Sequence, residues 1–268
     1  KIISFHIMLQ ISNLSVKIGD KPILTDVSLF FESGKTYFLL GKNGSGKSSL
    51  AYAISGNPKY EVTAGEIFEG SVRLNDMKVH ERANKTGIFL SFQNVPEIPG
   101  VKLLEYLRTI YNENQKTKNP DTKPMSPFVF KRFVTGLVSE LSLDEAFLDR
   151  DLNVGFSGGE KRKIELLQIK LLSPRYIILD EIDSGLDIDA FKVVASELKK
   201  LKNSENTLIF ITHNFGILEY VDVDGVYVLE EGRLTDSGGV ELARKIQKEG
   251  YCRYCRSGQE CDLQQKCM

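Results

Sequence analysis

The run Gly41-Lys42-Asn43-Gly44-Ser45-Gly46-Lys47-Ser48 constrains this chain more than any other segment. It fits G-x-x-x-x-G-K-[ST] and directly follows a short, continuously apolar stretch, Tyr37–Leu40. In such a loop the backbone N–H groups converge on one point at a helix start, where the helix dipole also favours negative charge. An apolar strand before the loop and a helix after it are the setting in which this motif acts as a phosphate cradle. The helix predicted from Ser48 stops at Gly56-Asn57-Pro58, residues that end helices well. A chain built around this unit is expected to be α/β with a parallel sheet. Its ligands should collect beyond the carboxyl ends of the strands.

The rest of the chain divides by periodicity. Leu9–Val16 and Ile23–Phe31 alternate apolar and polar residues around Gly19-Asp20, which predicts an N-terminal antiparallel β subdomain with one wet face. Residues from about 97 to 155 change character. Leu103, Leu107 and Ile110 mark a short helix, polar Asn112–Pro127 reads as a loop, and Phe130, Phe133, Val134, Leu137, Val138 and Leu141 recur at helical spacing. Together they predict a helical subdomain inserted into the core. A helix carrying Ile164, Leu167 and Leu171 then runs to Ser173-Pro174.

Tyr176–Leu179 is the kind of run that forms a fully buried strand, and it ends in Asp180-Glu181. Asp189–Lys202 is predicted as an amphipathic helix bearing Val193, Val194, Leu198 and Leu201. Thr207–Thr212 is predicted as a central strand ending at His213, and Tyr220–Leu229, Glu231-Gly232 and Arg233–Thr235 as strand, turn and strand. The phosphate loop, Asp180-Glu181 and His213 all fall at strand ends, where a ligand would lie.

These residue types suit triphosphate chemistry. Gly41, Asn43, Gly44, Ser45, Gly46, Lys47, Ser48 and Ser49 form the cradle, with Lys47 expected to reach the β- and γ-phosphates of ATP. The Ser48 hydroxyl and the Asp180 carboxylate are hard oxygen donors suited to Mg²⁺. Glu181 is the candidate group to orient and polarise the attacking water. Gln93, at the end of the strand-like Gly87–Phe92, can touch both metal and water through its amide. His213 can donate to a γ-phosphate oxygen. A second glycine–serine loop, Phe156-Ser157-Gly158-Gly159-Glu160, opens another helix. Ser157 there reads as an N-cap, which is itself an anion site. One nucleotide needs one cradle, so two such loops suggest a site shared between two copies of the chain, each supplying one half.

In this order the motifs resemble the ABC ATPase superfamily over about residues 9–250: Walker A at 41–48, Q-loop at Gln93, signature at 156–160, Walker B at 176–181. A D-loop at Ser184-Gly185-Leu186-Asp187 and a switch histidine at His213 complete the pattern. The resemblance implies ATP sandwiched head-to-tail between two ABC subunits. Glu181 would be the catalytic carboxylate, with His213 and Gln93 assisting and Ser157, Gly158 and Gly159 contacting the γ-phosphate from across the interface. Four blocks resemble one branch more closely, the SufC ATPases of iron–sulfur cluster assembly: 57–67, 87–101, 153–163 and 178–190. That branch implies a SufB/SufD-type β-helical scaffold as partner in place of a permease. The alternative is the nucleotide-binding subunit of a membrane transporter. Three features depart from common ABC patterns: Ile18 stands where many relatives carry an adenine-stacking aromatic, and the signature has Phe156 and Glu160.

Composition bounds the remaining questions. The chain has 268 residues, 41% hydrophobic and 26% charged, with a formal net charge of −1 at pH 7. No global basic field recruits nucleic acid, and no apolar run approaches the roughly 20 residues that span a bilayer. Lys1–Ile7, ahead of Met8, are expected to be a leader or an expression remnant. All four cysteines, Cys252, Cys255, Cys261 and Cys267, fall in the 251–268 tail. The tail reads either as a Zn²⁺ or Fe–S ligand set or as a flexible, redox-exposed end. A body without cysteine fits a reducing compartment, expected to be the cytoplasm or, in a eukaryote, a plastid-type organelle.

Overall fold

The computed structural model describes residues 8–182, 186 and 188–251. The D-loop apart from Leu186, the leader and the four cysteines therefore lie outside the described residues. The chain begins with β1 (Met8–Ile18) and β2 (Lys21–Glu32), then β3 (Thr36–Leu40), which feeds α1 (Lys47–Ser55). Strands β4 (Glu61–Glu69) and β5 (Val72–Arg73) follow, then α2 (Val79–Glu81), a π-turn at Arg82–Thr86 and β6 (Ile88–Ser91). Next come β7 (Ile98–Lys102), α3 (Leu103–Lys118), α4 (Pro127–Glu140), a 3-10 turn at Glu145–Asp149 and β8 (Asp151–Leu152). The last part holds α5 (Gly158–Leu172), β9 (Tyr176–Asp180), α6 (Ile188–Leu201), β10 (Thr207–Ile211), β11 (Gly225–Glu230), β12 (Arg233–Gly238) and α7 (Val240–Glu249).

The strands form a four-stranded antiparallel sheet, β2-β1-β4-β5, a six-stranded sheet, β12-β11-β3-β10-β9-β6, and the small pair β7-β8. In the six-stranded sheet the contacts β11·β3, β3·β10, β10·β9 and β9·β6 are parallel, and only the edge strand β12 is antiparallel. This is the α/β fold with parallel core and antiparallel subdomain expected above.

Period-two alternation explains why the central strands are apolar throughout. Phe38, Leu40, Ile177, Leu179, Leu208 and Phe210 point into the core shared with α3, α4, α5 and α6. Tyr37, Leu39, Tyr176, Ile178, Ile209 and Ile211 point to the opposite core, which holds α1 and the antiparallel sheet. A strand buried on both faces has no wet side to mark with polar residues. Each such side chain contributes about 1.5–3 kcal/mol of burial.

Several local expectations are corrected. The polar stretch from Asn112 is helix: α3 continues to Lys118, with Asn119 as its cap residue, and the loop is confined to 119–126. Glu, Gln and Lys are good helix formers. The inward face at that end is polar, with Asn114 buried and the Asn112 side chain accepting from Met125 N at 2.9 Å. Phe133 and Val193 carry the helical period but are 42% and 41% exposed. Residues 220–224 are not strand: Asp224 donates its N–H to Thr36 O at 2.8 Å while its carboxylate accepts from Thr36 N at 2.8 Å and from Lys202 at 3.3 Å, and regular pairing starts at Gly225. The hairpin partner β12 runs on to Gly238.

Candidate functional site

The cradle is built by backbone geometry that only glycine supplies. Gly41 has φ +151°, and a Cβ there would stand 2.1 Å from the Leu229 carbonyl oxygen, so β3 can pass into the loop only without a side chain. Gly46 precedes α1 in the left-handed region, and α1 ends on Gly56, also left-handed. Lys47 is buried, and its Nζ donates to the carbonyls of Gly41 at 2.8 Å and Lys42 at 3.0 Å. Burial holds its pKa below the ordinary lysine value, partly offset by the charges of Glu181 and Asp180. Among the described residues, the buried Ser45 Oγ has no hydrogen-bond partner.

Walker B delivers its carboxylates to the same place. Asp180 is fully buried at the end of β9 and accepts from Ser48 Oγ at 3.2 Å. Burial pushes its carboxyl above the usual range, and the Ser48 hydrogen bond opposes the shift. A desolvated carboxylate beside a hydroxyl is a hard-oxygen pair that fits Mg²⁺. Bound there, Mg²⁺ would neutralise phosphate charge. Glu181 adopts φ +49°, a left-handed conformation that non-glycine residues seldom hold, while its N–H donates to Ile211 O at 2.8 Å. Its Oε2 accepts from Gln93 Nε2 at 2.6 Å, and its Oε1 lies 3.8 Å from His213 Nε2. Lys47, Ser48, Gln93, Asp180, Glu181 and His213 thus gather in one cluster at the carboxyl ends of β3, β6, β9 and β10.

The signature loop stands apart from that cluster. Ser157 caps α5 in a reciprocal box: its Oγ accepts from Glu160 N at 3.3 Å while Glu160 Oε2 accepts from Ser157 N at 2.7 Å. Phe156 packs edge-on to Phe147 at 4.7 Å, with the Arg150 guanidinium 4.6 Å from its ring centroid, so this aromatic ties the loop to the neighbouring 3-10 turn. Among the described residues, no hydrogen bond of Ser157, Gly158 or Gly159 reaches the 41–49 loop.

Two residues without an assigned role connect these parts. Arg162, 3% exposed, donates to Ser91 Oγ, Phe92 O, Gln93 O, Glu181 O and the Glu165 carboxylate, the last at 2.6 Å. One guanidinium on α5 therefore holds the chain on either side of the Gln93–Glu181 contact. In sequence the pair looks like an ordinary surface i,i+3 ion pair; only the fold buries it. Tyr251 is the other: its hydroxyl accepts from the Gly41 N–H at 3.1 Å, which anchors the first residue of the cradle from the far end of the chain.

Comparison with known proteins identifies the family and the fold. The ABC transporter family profile matches residues 24–184. A "Probable ATP-dependent transporter ycf16" from Antithamnion sp. is 42% identical over 246 residues, covering 92% of this chain and 97% of the relative. A nucleotide-free ATP-binding cassette from an ABC transporter superposes with TM-score 0.74 at 22% identity, covering 94% of this chain and 100% of that one. A dimeric cassette in a post-hydrolysis state, bound to ADP and Pi, gives TM-score 0.72 at 20% identity, covering 87% and 98%. The chain belongs to the ABC transporter family and is an ABC-type ATPase.

Proposed function

We propose that this chain binds Mg-ATP through the 41–49 loop and hydrolyses it at an interface between two copies, acting as the SufC-type ATPase of an iron–sulfur cluster assembly system. The observation that carries the hydrolytic part is the convergence of Ser48, Asp180, Gln93, Glu181 and His213 at one end of the parallel sheet. Ser48 and Asp180 hold the metal, Gln93 and His213 flank Glu181, and Glu181 orients water. The separation of the Ser157–Gly159 loop from the cradle supports a two-copy site. So does the dimeric state of the cassette bound to ADP and Pi.

The Suf-type assignment rests on the four sequence blocks, one of which, 87–101, runs from β6 through Gln93 into β7. Phe92, Ile98 and Val101 in that block are 40%, 38% and 38% exposed, an apolar surface beside the Q-loop on which a scaffold can act. Closure of two copies on ATP would strain such a scaffold, and hydrolysis would release it. The transporter-subunit reading uses the same chemistry, and the relative's name, ATP-dependent transporter, favours it. Affinity capture from native extract, with and without ATP, separates the two. A soluble β-helical scaffold supports the Suf assignment; a multi-span membrane protein overturns it and leaves the ATPase reading intact.

A further inference from the structure

Helix α4 is apolar on two sides. Phe130, Val134 and Val138 bury one side in the core shared with α3 and α5. The other side carries Phe128, Val129 and Phe133, which are 81%, 53% and 42% exposed. At about 100° per residue these three and the exposed Arg132 fall on one arc of the helix. Single exposed apolar side chains are ordinary. Three grouped on a face that the fold does not use mark a surface that meets something. The face is also fixed in shape. Phe133 rests on Tyr111 and Phe130, with ring centroids 5.5 and 6.1 Å away. Phe128 follows Pro127 at the first helical position, and Ser126 caps the helix by accepting from Val129 N at 3.5 Å. The Phe128 ring therefore projects from a rigid helix start.

The charge around this face is one-sided. From residue 116 to residue 133 the chain carries Lys116, Lys118, Lys123, Lys131 and Arg132 against one carboxylate, Asp121, although its formal net charge is −1. Two of the five cations are engaged: Lys118 donates to Leu172 O at 3.2 Å, and Lys131 meets Asp149 at 3.2 Å. The exposed Lys116, Lys123 and Arg132 have no carboxylate partner among the described residues. Both amide atoms of Asn112 bind Met125, at 2.9 and 3.4 Å, which lays α3 beside the start of α4. Lys116, one turn beyond Asn112, shares that side of α3. Lys123 precedes Phe128 by five residues and Arg132 follows it by four, so cations frame the projecting ring.

We infer that the start of α4 and the 119–126 loop form a peripheral membrane contact that docks on an anionic lipid surface. Phe128 and Val129 enter the boundary between headgroups and acyl chains, while Lys116, Lys123 and Arg132 meet the anionic headgroups. Their long stems can follow the apolar layer and keep the charged ends in water. An acidic protein segment would satisfy the same charge, but it would have to bring the walls for Phe128, which at 81% exposure has few of its own. A bilayer closes round a projecting ring without any preformed pocket. No helix among the described residues is long and apolar enough to cross a membrane, so the contact lies on the surface. It is separate from the ATP site and does not depend on the partner assignment above.

Sedimentation with vesicles tests this on the full chain, without ATP and at about 0.15 M salt. Phosphatidylcholine vesicles containing about one-third phosphatidylserine should bind about tenfold more tightly than phosphatidylcholine alone. Arg132→Glu should weaken that binding about tenfold, and Phe128→Ser about fivefold. Both positions are exposed, so melting transitions and ATP hydrolysis should stay unchanged. Insertion has its own readout. The chain contains no tryptophan, so Phe128→Trp carries a single fluorophore, whose emission should shift to the blue on the charged vesicles. Absence of binding to charged vesicles, binding untouched by Phe128→Ser, or binding with the Phe128→Trp emission unshifted overturns the contact. Retention on immobilised polyglutamate without any binding to vesicles also overturns it, and assigns the surface to an acidic protein segment.

Discussion

The Gln93 side-chain amide donates to Glu181 Oε2 at 2.6 Å, so the second residue beyond β6 and the first beyond β9 are joined through the group proposed to activate water. If Glu181 orients that water, Glu181→Gln keeps the shape and loses the negative charge. Turnover should fall by about 10²–10⁴-fold, while ATP binding persists and closed dimers accumulate. Steady-state hydrolysis and size-exclusion chromatography in ATP measure both. Turnover at the wild-type rate would remove Glu181 from the role.

Arg162 and Glu165 form an ion pair with both side chains 4% exposed. Burial pushes the Glu165 carboxyl up, and Arg162 opposes it. Arg162→Ala leaves that carboxylate buried with its cation gone, so the chain should lose about 3–5 kcal/mol. Arg162→Met combined with Glu165→Leu should recover much of the loss, since no charge is then stranded. Denaturant midpoints decide it; equal destabilisation in both variants would contradict the pairing argument.

Tyr251→Phe deletes one hydroxyl and frees the Gly41 N–H. A neutral hydrogen bond is worth about 1 kcal/mol. KM for ATP should rise roughly fivefold while kcat holds, because the hydroxyl steadies the cradle and touches no reacting atom. A fall in kcat at constant KM would argue against that positioning role.

Glu197 on α6 is 5% exposed, with Lys200 at 2.6 Å and Lys170 at 2.9 Å. Burial alone would raise its pKa, but the two lysines outweigh burial and hold it below the ordinary value. The unfolded chain therefore takes up the proton first. The pair's stabilisation is complete above the unfolded-state pKa, about 4.3, and is lost as pH falls through the folded one. The stability gap between wild type and Glu197→Gln should narrow from pH 7 towards pH 3. A gap that stays constant would show that the lysines do not depress the carboxyl.

The sequence was most legible where a backbone constraint and a chemical one coincide. The 41–48 loop needs glycine to pass Leu229, and its neighbours need phosphate, so its place could be read in advance. The central strands announced themselves by being apolar on both faces. The tail of α3 did not, because its buried face is made of Asn112 and Asn114, and hydrophobic period is blind to polar packing. Arg162 and Tyr251 were hidden for a different reason. Their partners lie 71 and 210 positions away, at Ser91 and Gly41, and nothing local marks either contact.

The pairing of β7 with β8 brings residues 98 and 152 into register, and Asn153 Nδ2 donates to Pro96 O at 2.9 Å. The insertion between them thus leaves and rejoins the body at a single stitched seam. Since the two ends are already fastened together, extra residues in the 119–126 loop would carry only the small entropic cost of a longer loop. The inward faces of α3 and α4 have no such freedom, because they share one core with the parallel sheet, so growth at that outer tip is the one change the engine beneath would not feel.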